Sequence, residues 1–411
     1  MDFNVFDLHP KVKAGVTAEG FVTPTPIQAE AIPKVLQGHD VMGLAQTGTG
    51  KTAAFVLPIL HRLMEGKRRC VRALIVTPTR ELAEQTHEAI GKFGAGTGIR
   101  SVTVYGGVGI HPQAQKLRQG PEIVVACPGR ILDHIGRGTI DLRHVDVLVL
   151  DEADHMFDMG FLPDIRKILK NLPRKRQTLL FSATMPKVIR HLAQDVLTDP
   201  VTVQVGTTAP AVTVHHAVYP VEPHLKTRLL LELLRSTDTE SVLVFTRTKH
   251  RAKRLGEQLT KAGYRATSLQ GNLSQSRRQA ALEGFRRGKF QILVATDIAA
   301  RGIDVARISH VINYDIPNTT EAYIHRIGRT GRVARSGDAY TLVTGEDKNM
   351  VRSIERILNR PIDRRTVADF DYKARKTGKT DRPVQKPVRG GKRTWNRTRS
   401  EQTSFSMPHP S

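Results

Sequence analysis

The chain has 411 residues, 39% hydrophobic and 25% charged, with a formal net charge of +24. The length favours two domains, and the composition argues against a collagen, a fully disordered chain or a membrane protein, since no apolar run approaches the ~18 residues of a spanning helix. Two cysteines, Cys70 and Cys127, make neither a disulfide framework nor a metal motif.

The N-terminus has no basic segment followed by an apolar one, so no secretory signal is expected, and a reducing cytoplasm is the expected location. Val41–Leu44, Ala73–Val76, Ile123–Ala126, Val145–Leu150 and Thr178–Phe181 predict buried strands, and Thr52–Met64, Glu81–Phe93 and Leu162–Leu172 predict helices between and after them. Continuous apolar strands separated by helices predict a parallel sheet covered on both faces. The pattern pauses at Gly206-Thr207-Thr208-Ala209-Pro210, which places a linker over 206–212. It resumes with strands over Val242–Phe245, Ala266–Leu269, Ile292–Ala295, His310–Asn313 and Ala339–Val343, and helices over Lys249–Ala262, Arg277–Arg287 and Asp347–Leu358. Two α/β domains in tandem are therefore expected, over 31–205 and 213–372. After Tyr372 the apolar pattern stops, and 373–411 is expected to be a disordered basic tail.

The charge is unevenly placed. Residues 1–205 hold 25 basic and 20 acidic side chains, 206–372 hold 27 and 17, and 373–411 hold 11 and 2. The second half is thus basic in its own right, which points to a polyanion partner, most commonly a nucleic acid. A solvated basic surface is the plainer alternative. Adjacent His215 and His216 lie on an expected strand and would point to opposite faces, so they are not a ligand pair.

Ala45-Gln46-Thr47-Gly48-Thr49-Gly50-Lys51-Thr52 follows an expected strand and opens an expected helix, the context a phosphate loop requires. Glycines let backbone N–H groups curl around phosphate oxygens, and the helix N-terminus adds partial positive charge. Lys51 would reach the β- and γ-phosphates, and the Thr52 hydroxyl would ligate Mg²⁺. About a hundred residues on, the strand Val147-Leu148-Val149-Leu150 ends in Asp151-Glu152-Ala153-Asp154. Carboxylates at the carboxyl end of a parallel strand lie where such sheets bind ligands. Asp151 can hold Mg²⁺, and Glu152 can polarise an attacking water.

These two motifs together resemble the DEAD-box ATP-dependent RNA helicases. That resemblance implies two tandem RecA-like domains, with residues 1–30 forming the adenine-recognition region. Gly20-Phe21-Val22-Thr23-Pro24-Thr25-Pro26-Ile27-Gln28 matches the family's adenine-reading motif, and Phe3 stands at the place of its upstream aromatic. The Gln28 amide has both donor and acceptor and so can pair with an adenine edge. The resemblance implies RNA-facing roles for Pro78, Thr79, Arg80, Gly107, Gly129 and Arg130 in the first half. It implies the same for Arg247, Gly271, Arg278 and Thr296 in the second. Cys127 stands where the family usually has Thr. Ser182-Ala183-Thr184 would couple the acidic motif to RNA, with small hydroxyls suited to a relay to Asp154; a simple helix cap is the alternative.

The stretch His325-Arg326-Ile327-Gly328-Arg329-Thr330-Gly331-Arg332 sets three arginines along one side of a helix and its exit. By resemblance, Arg329 and Arg332 are fingers on the γ-phosphate, His325 and Arg326 couple the domains, and Asp304 faces the ATP ribose. Neither domain alone then holds a complete site, so ATP and an RNA strand would each favour closure. The implied activity is RNA-stimulated ATP hydrolysis with local, non-processive unwinding. Contacts to phosphates and sugars would make RNA binding largely sequence-independent. Within the family, the compact core and short basic tail resemble the bacterial RhlE type. Arg389-Gly390-Gly391 and Trp395 in the tail would form an electrostatic RNA tether. Proteins of ribosome assembly or RNA decay are candidate partners, no membrane is expected, and a monomer is expected. An ATP-gated RNA clamp, a DNA helicase and a phosphate-loop kinase or GTPase are the competing readings, the last opposed by Gln28 and the arginine stretch.

Overall fold

A computed structural model of the chain describes residues 2–46, 48–205, 214–237, 239–300, 308–330 and 337–374. Linker 206–212 and the expected tail beyond Ala374 lie outside these described residues, as do Thr47, Asp304 and Arg332. Residues 1–372 gather into one compact unit.

The first half forms the strands β1 (Val41–Leu44), β2 (Ala73–Val76), β3 (Ser101–Val104), β4 (Ile123–Ala126), β5 (Val147–Leu150), β6 (Gln177–Ser182) and β7 (Val201–Gln204). They pair in parallel in the order β3-β4-β2-β5-β6-β1-β7. Successive strand residues feed opposite faces: Ala73 and Ile75 join one core cluster, Leu74 and Val76 the other. Helices Lys51–Leu63 and Arg80–Phe93 cover the first face, and Pro128–Gly136 and Lys187–Val196 the second.

The second half repeats the plan with β8 (Val214–Pro220), β9 (Val242–Phe245), β10 (Ala266–Leu269), β11 (Ile292–Ala295), β12 (His310–Asn313), β13 (Gly337–Val343) and β14 (Asp363–Arg364). Their order is β10-β11-β9-β12-β13-β8-β14, again parallel. The expected α/β fold class with parallel sheets is what the chain adopts. On β8, His215 is exposed and His216 buried, where its Nδ1 lies 3.1 Å from the Tyr323 hydroxyl. Among the described residues no helix is long and apolar enough to cross a membrane.

Two glycines show how tightly the site is framed. A Cβ on Gly15, in the helix Pro10–Ala18, would land on the Phe93 carbonyl at the end of the helix Arg80–Phe93. Gly91, in that second helix, has nothing within 4 Å of such a Cβ. Gly15→Ala should therefore destabilise the protein by about 1–3 kcal/mol through overpacking. Gly91→Ala should stabilise it by about 1 kcal/mol through helix propensity. Thermal unfolding of the two variants should move in opposite directions; shifts of the same sign would contradict the packing described.

Candidate nucleotide and RNA site

Both halves place their candidate residues just beyond the carboxyl ends of parallel strands, which is why motifs distant in sequence meet. β1 leads into the phosphate loop, where Gly48 and Gly50 adopt φ of 86° and 93° and the helix begins at Lys51. Ala45 donates its N–H to Ser182 O at 3.1 Å, and its own carbonyl accepts from Lys51 Nζ at 2.7 Å. Thr49 Oγ1 donates to Gln46 O at 2.7 Å. The loop is thereby folded over its own lysine.

Gln28 is 1% exposed and both ends of its amide have protein partners. Its Oε1 accepts from Thr25 N at 2.9 Å, and its Nε2 donates to Gly50 O at 3.1 Å. It thus ties the adenine-motif segment to the phosphate loop, leaving one amide hydrogen and one lone pair for a ligand edge. Gly50 must be glycine on two counts: its φ is positive, and a Cβ there would run into the Gln28 amide. Phe21, 39% exposed, lines the same cavity as Gln28 and meets the Phe93 ring at 5.3 Å. Phe3 differs from expectation: it is 4% exposed, meets Phe21 edge to face at 6.1 Å, and does not line the cavity. It supports the aromatic wall from within the core.

That cavity measures about 440 Å³ and includes Gly48, Gly50, Lys51, Thr52, Asp151 and Glu152. The second half contributes Arg286 to it, and Phe93 joins its aromatic wall; neither was singled out from the sequence. Arg286 closes the helix Gln275–Arg286, and nothing local in the sequence tells that it reaches the first half.

At the end of β5, Glu152 takes a left-handed backbone conformation, φ 54°, and starts the helix Ala153–Asp158. A non-glycine residue there is uncommon and marks a site under constraint. Asp151, Glu152 and Asp154 are 2–3% exposed. Burial holds the Asp151 carboxyl well above the usual carboxylate range despite nearby Lys51. Burial would raise Glu152 as well, but His155, Lys51 and Arg329 more than offset it and bring that carboxyl down. Asp154 follows the same logic, with His155 and His325 favouring its charge over burial. Thr52 and Asp151 present a hydroxyl and a buried carboxylate to one cavity, an oxygen donor set suited to a hard divalent cation.

Ser182 and Thr184 do meet Asp154. Ser182 Oγ accepts from Asp154 N at 3.3 Å, and Thr184 donates from N and Oγ1 to Asp154 Oδ2 at 2.8 and 2.9 Å. His325 of the second half reaches the same carboxylate, its Nε2 lying 3.6 Å from Asp154 Oδ2. Arg329 is 4% exposed and shares an enclosure with His155, His325 and Arg326.

Several arginines expected to face RNA or to couple the halves have protein partners. Arg326, expected between the domains, bonds within the second half: to Asp297 at 2.5 and 2.8 Å, Asn313 Oδ1 at 2.9 Å and Asp315 O at 2.7 Å, over the Phe245 ring. At 2% exposure an unpartnered guanidinium would be costly, which explains this saturation. Arg278 crosses to the first half, its Nε donating to Glu81 Oε1 at 2.7 Å. Arg80 packs against Gly107 and donates to Gln275 Oε1 at 3.2 Å. Arg130 donates to Val108 O, and Arg247 donates weakly to Ile316 O at 3.4 Å while its N–H bonds to Asp315. Pro78 lies in the loop after β2, and Thr79 caps the next helix, its Oγ1 accepting from Leu82 N. Gly129, Gly271 and Thr296 lie just past β4, β10 and β11. Cys127 is buried and its thiol pushed up to about 12, so it is chemically quiet.

Family models match the chain twice: a DEAD/DEAH box helicase model over residues 25–192 and a helicase conserved C-terminal domain model over 225–334. The DEAD-box ATP-dependent RNA helicase CshA of Geobacillus kaustophilus is 46% identical over 365 residues, spanning 88% of this chain and 78% of that protein. CshA of Bacillus subtilis is 43% identical over 363 residues, 88% of this chain and 73% of the relative. Among solved structures, S. cerevisiae Dbp5 bound to RNA and ADP BeF3 superposes with a TM-score of 0.81 at 30% identity, covering 90% of this chain and 96% of that one. A DEAD box protein from Methanococcus jannaschii, 36% identical, superposes less well, at 0.53 over 89% and 99%. The chain belongs to the DEAD-box family of ATP-dependent RNA helicases. It is accordingly an ATP-hydrolysing enzyme with two tandem RecA-like domains that acts on RNA.

Proposed function

We propose that ATP and one RNA strand draw the two halves together into a single catalytic site, and that hydrolysis releases them. The supporting observation is that the acidic turn of the first half meets His325 and Arg329 of the second. In this reading Lys51 and the loop backbone hold the phosphates, and Thr52 and Asp151 hold Mg²⁺. When bound, that ion neutralises phosphate charge. Glu152 accepts a proton as water oxygen bonds to the γ-phosphorus and the bond to the β–γ bridging oxygen breaks, leaving ADP. Arg329, and Arg332 beyond the described residues, oppose the charge that develops. Gln28 and Phe21 read the adenine and Asp304 the ribose. Ser182, Thr184, Asp154 and His325 relay the state of one ligand to the other.

The RNA would cross the strand ends carrying Pro78–Arg80, Gly107, Gly129, Arg130, Arg247, Gly271 and Thr296, with Arg278 acting through Glu81 to hold the halves. Such contacts fix a backbone without reading sequence. Single-stranded RNA affinity with and without a non-hydrolysable ATP analogue tests this linkage. The expected result is tighter binding with the analogue; equal affinity would remove it. Unwinding of a short RNA duplex at matched ATPase rates separates a helicase from an ATP-gated clamp.

The expected RhlE type draws no support from the relatives named above, which are CshA proteins; a CshA-like member is the better reading. Domain limits at 31–205 and 213–372, a cytoplasmic location, a monomeric state and partners from ribosome assembly or RNA decay are proposed by family analogy. The tail is proposed as an electrostatic tether because 373–411 carry a net +9. Its removal should weaken RNA binding and flatten the salt dependence by about 0.7 log–log units per lost phosphate contact. An unchanged slope would make the tail a bystander.

A further inference from the structure

One side chain that no motif assigns sits at the centre of the junction. His155 is 1% exposed and lies three residues after Glu152, one turn along the helix Ala153–Asp158. Its Nδ1 is 2.8 Å from Glu152 Oε2, and its Nε2 is 3.2 Å from His325 Nδ1 across the gap between the halves. The two rings meet edge to face at 4.6 Å, and His325 turns its Nε2 toward Asp154. Four groups thus form a chain, in which Glu152 touches His155, His155 touches His325, and His325 faces Asp154. The His155 N–H returns to Asp154 Oδ1 at 3.0 Å.

We infer that His155 is the positioning residue through which the second half sets the orientation of Glu152. This rests on the reading of Glu152 as the base. Glu152 starts the helix from a left-handed backbone, and one of its carboxylate oxygens lies against the His155 ring. The Nδ1–H of His155 fixes that oxygen, and Glu152 also lines the cavity that holds Lys51 and Thr52. The far side of the same ring meets His325, and His325 belongs to the half that moves in the proposed cycle. Closure therefore locks the ring, and the ring locks the carboxylate.

His155→Ala, His155→Asn and His155→Gln separate this role from mere packing. Asn places an N–H near the position of Nδ1, and Gln places one near that of Nε2. RNA-stimulated ATP hydrolysis should lose on the order of 10- to 100-fold in kcat with Ala, the scale of misplacing a reacting group. KM for ATP and RNA affinity should stay within about twofold. Asn should recover most of the loss and Gln little of it. In a Glu152→Gln background, His155→Ala should cost nothing further, since residues acting as one unit are not additive. An unchanged kcat in His155→Ala, or equal loss in Asn and Ala at full melting temperature, overturns the inference. Full turnover in Glu152→Gln alone would instead overturn the assignment of Glu152 itself. A lowered melting temperature in all three variants, with KM rising as kcat falls, would reduce His155 to a packing residue.

Discussion

Replacing Glu152 by Gln should lower kcat on the order of 10²- to 10⁴-fold, the usual worth of a positioned general base, while ATP and RNA still bind. The substitution keeps the shape of the side chain and removes only its ability to take a proton. Its amide oxygen can still accept from His155 Nδ1, now 2.8 Å away. Binding should survive because the phosphate-facing groups, Lys51 and the loop glycines, belong to a different segment. Stability should fall somewhat, since His155, Lys51 and Arg329 favour the charged carboxylate over burial and Gln removes that charge. Turnover, nucleotide affinity and melting temperature measured on one preparation check all three points. Normal turnover would take Glu152 out of its role, and lost ATP binding would make it a structural acid.

Arg329→Ala should cost still more, about 10³- to 10⁵-fold in kcat, as removal of an arginine finger does. ATP affinity should change little, because the residue belongs to the half opposite the phosphate loop. Its neighbour Arg326 provides the contrast. Arg326 bonds Asp297, Asn313 and Asp315 O inside the second half, so Arg326→Ala leaves the buried Asn313 amide oxygen and Asp315 carbonyl without their donor, and the half-buried Asp297 without its cation. Each buried acceptor left unpaired should cost about 1–3 kcal/mol of stability. The two arginines look alike in sequence, three residues apart, yet one variant should fold and not turn over while the other should fold poorly. An unchanged kcat in Arg329→Ala would end its assignment as a finger.

The sequence and the structure agree where the chemistry is local. β2, β4, β9 and β11 fall on the expected residues because an unbroken apolar run has to be covered on both faces, and β1, β10 and β12 coincide with expectation as well. The edge strands β3 and β7 escaped because they alternate polar and apolar residues, with one side facing water. Val145 looked like strand and is a turn, its N–H bonded to Leu142 O. The phosphate loop and the acidic turn were legible since each is one contiguous segment with its own geometry. What could not be read were pairings between distant segments. Arg278 meets Glu81 across 197 residues of chain and His155 meets His325 across 170, and no local pattern announces either pairing. Phe3 was assigned to the ligand because it occupies a motif position, but depth in the core is not encoded by position along the chain.

The central claim is that one catalytic site is assembled from both halves when RNA is bound. ATP hydrolysis measured without nucleic acid, with single-stranded RNA and with single-stranded DNA, using Glu152→Gln as the blank, tests it most directly. Strong stimulation by RNA and little by DNA is the predicted result. A rate that is the same with and without RNA would contradict it.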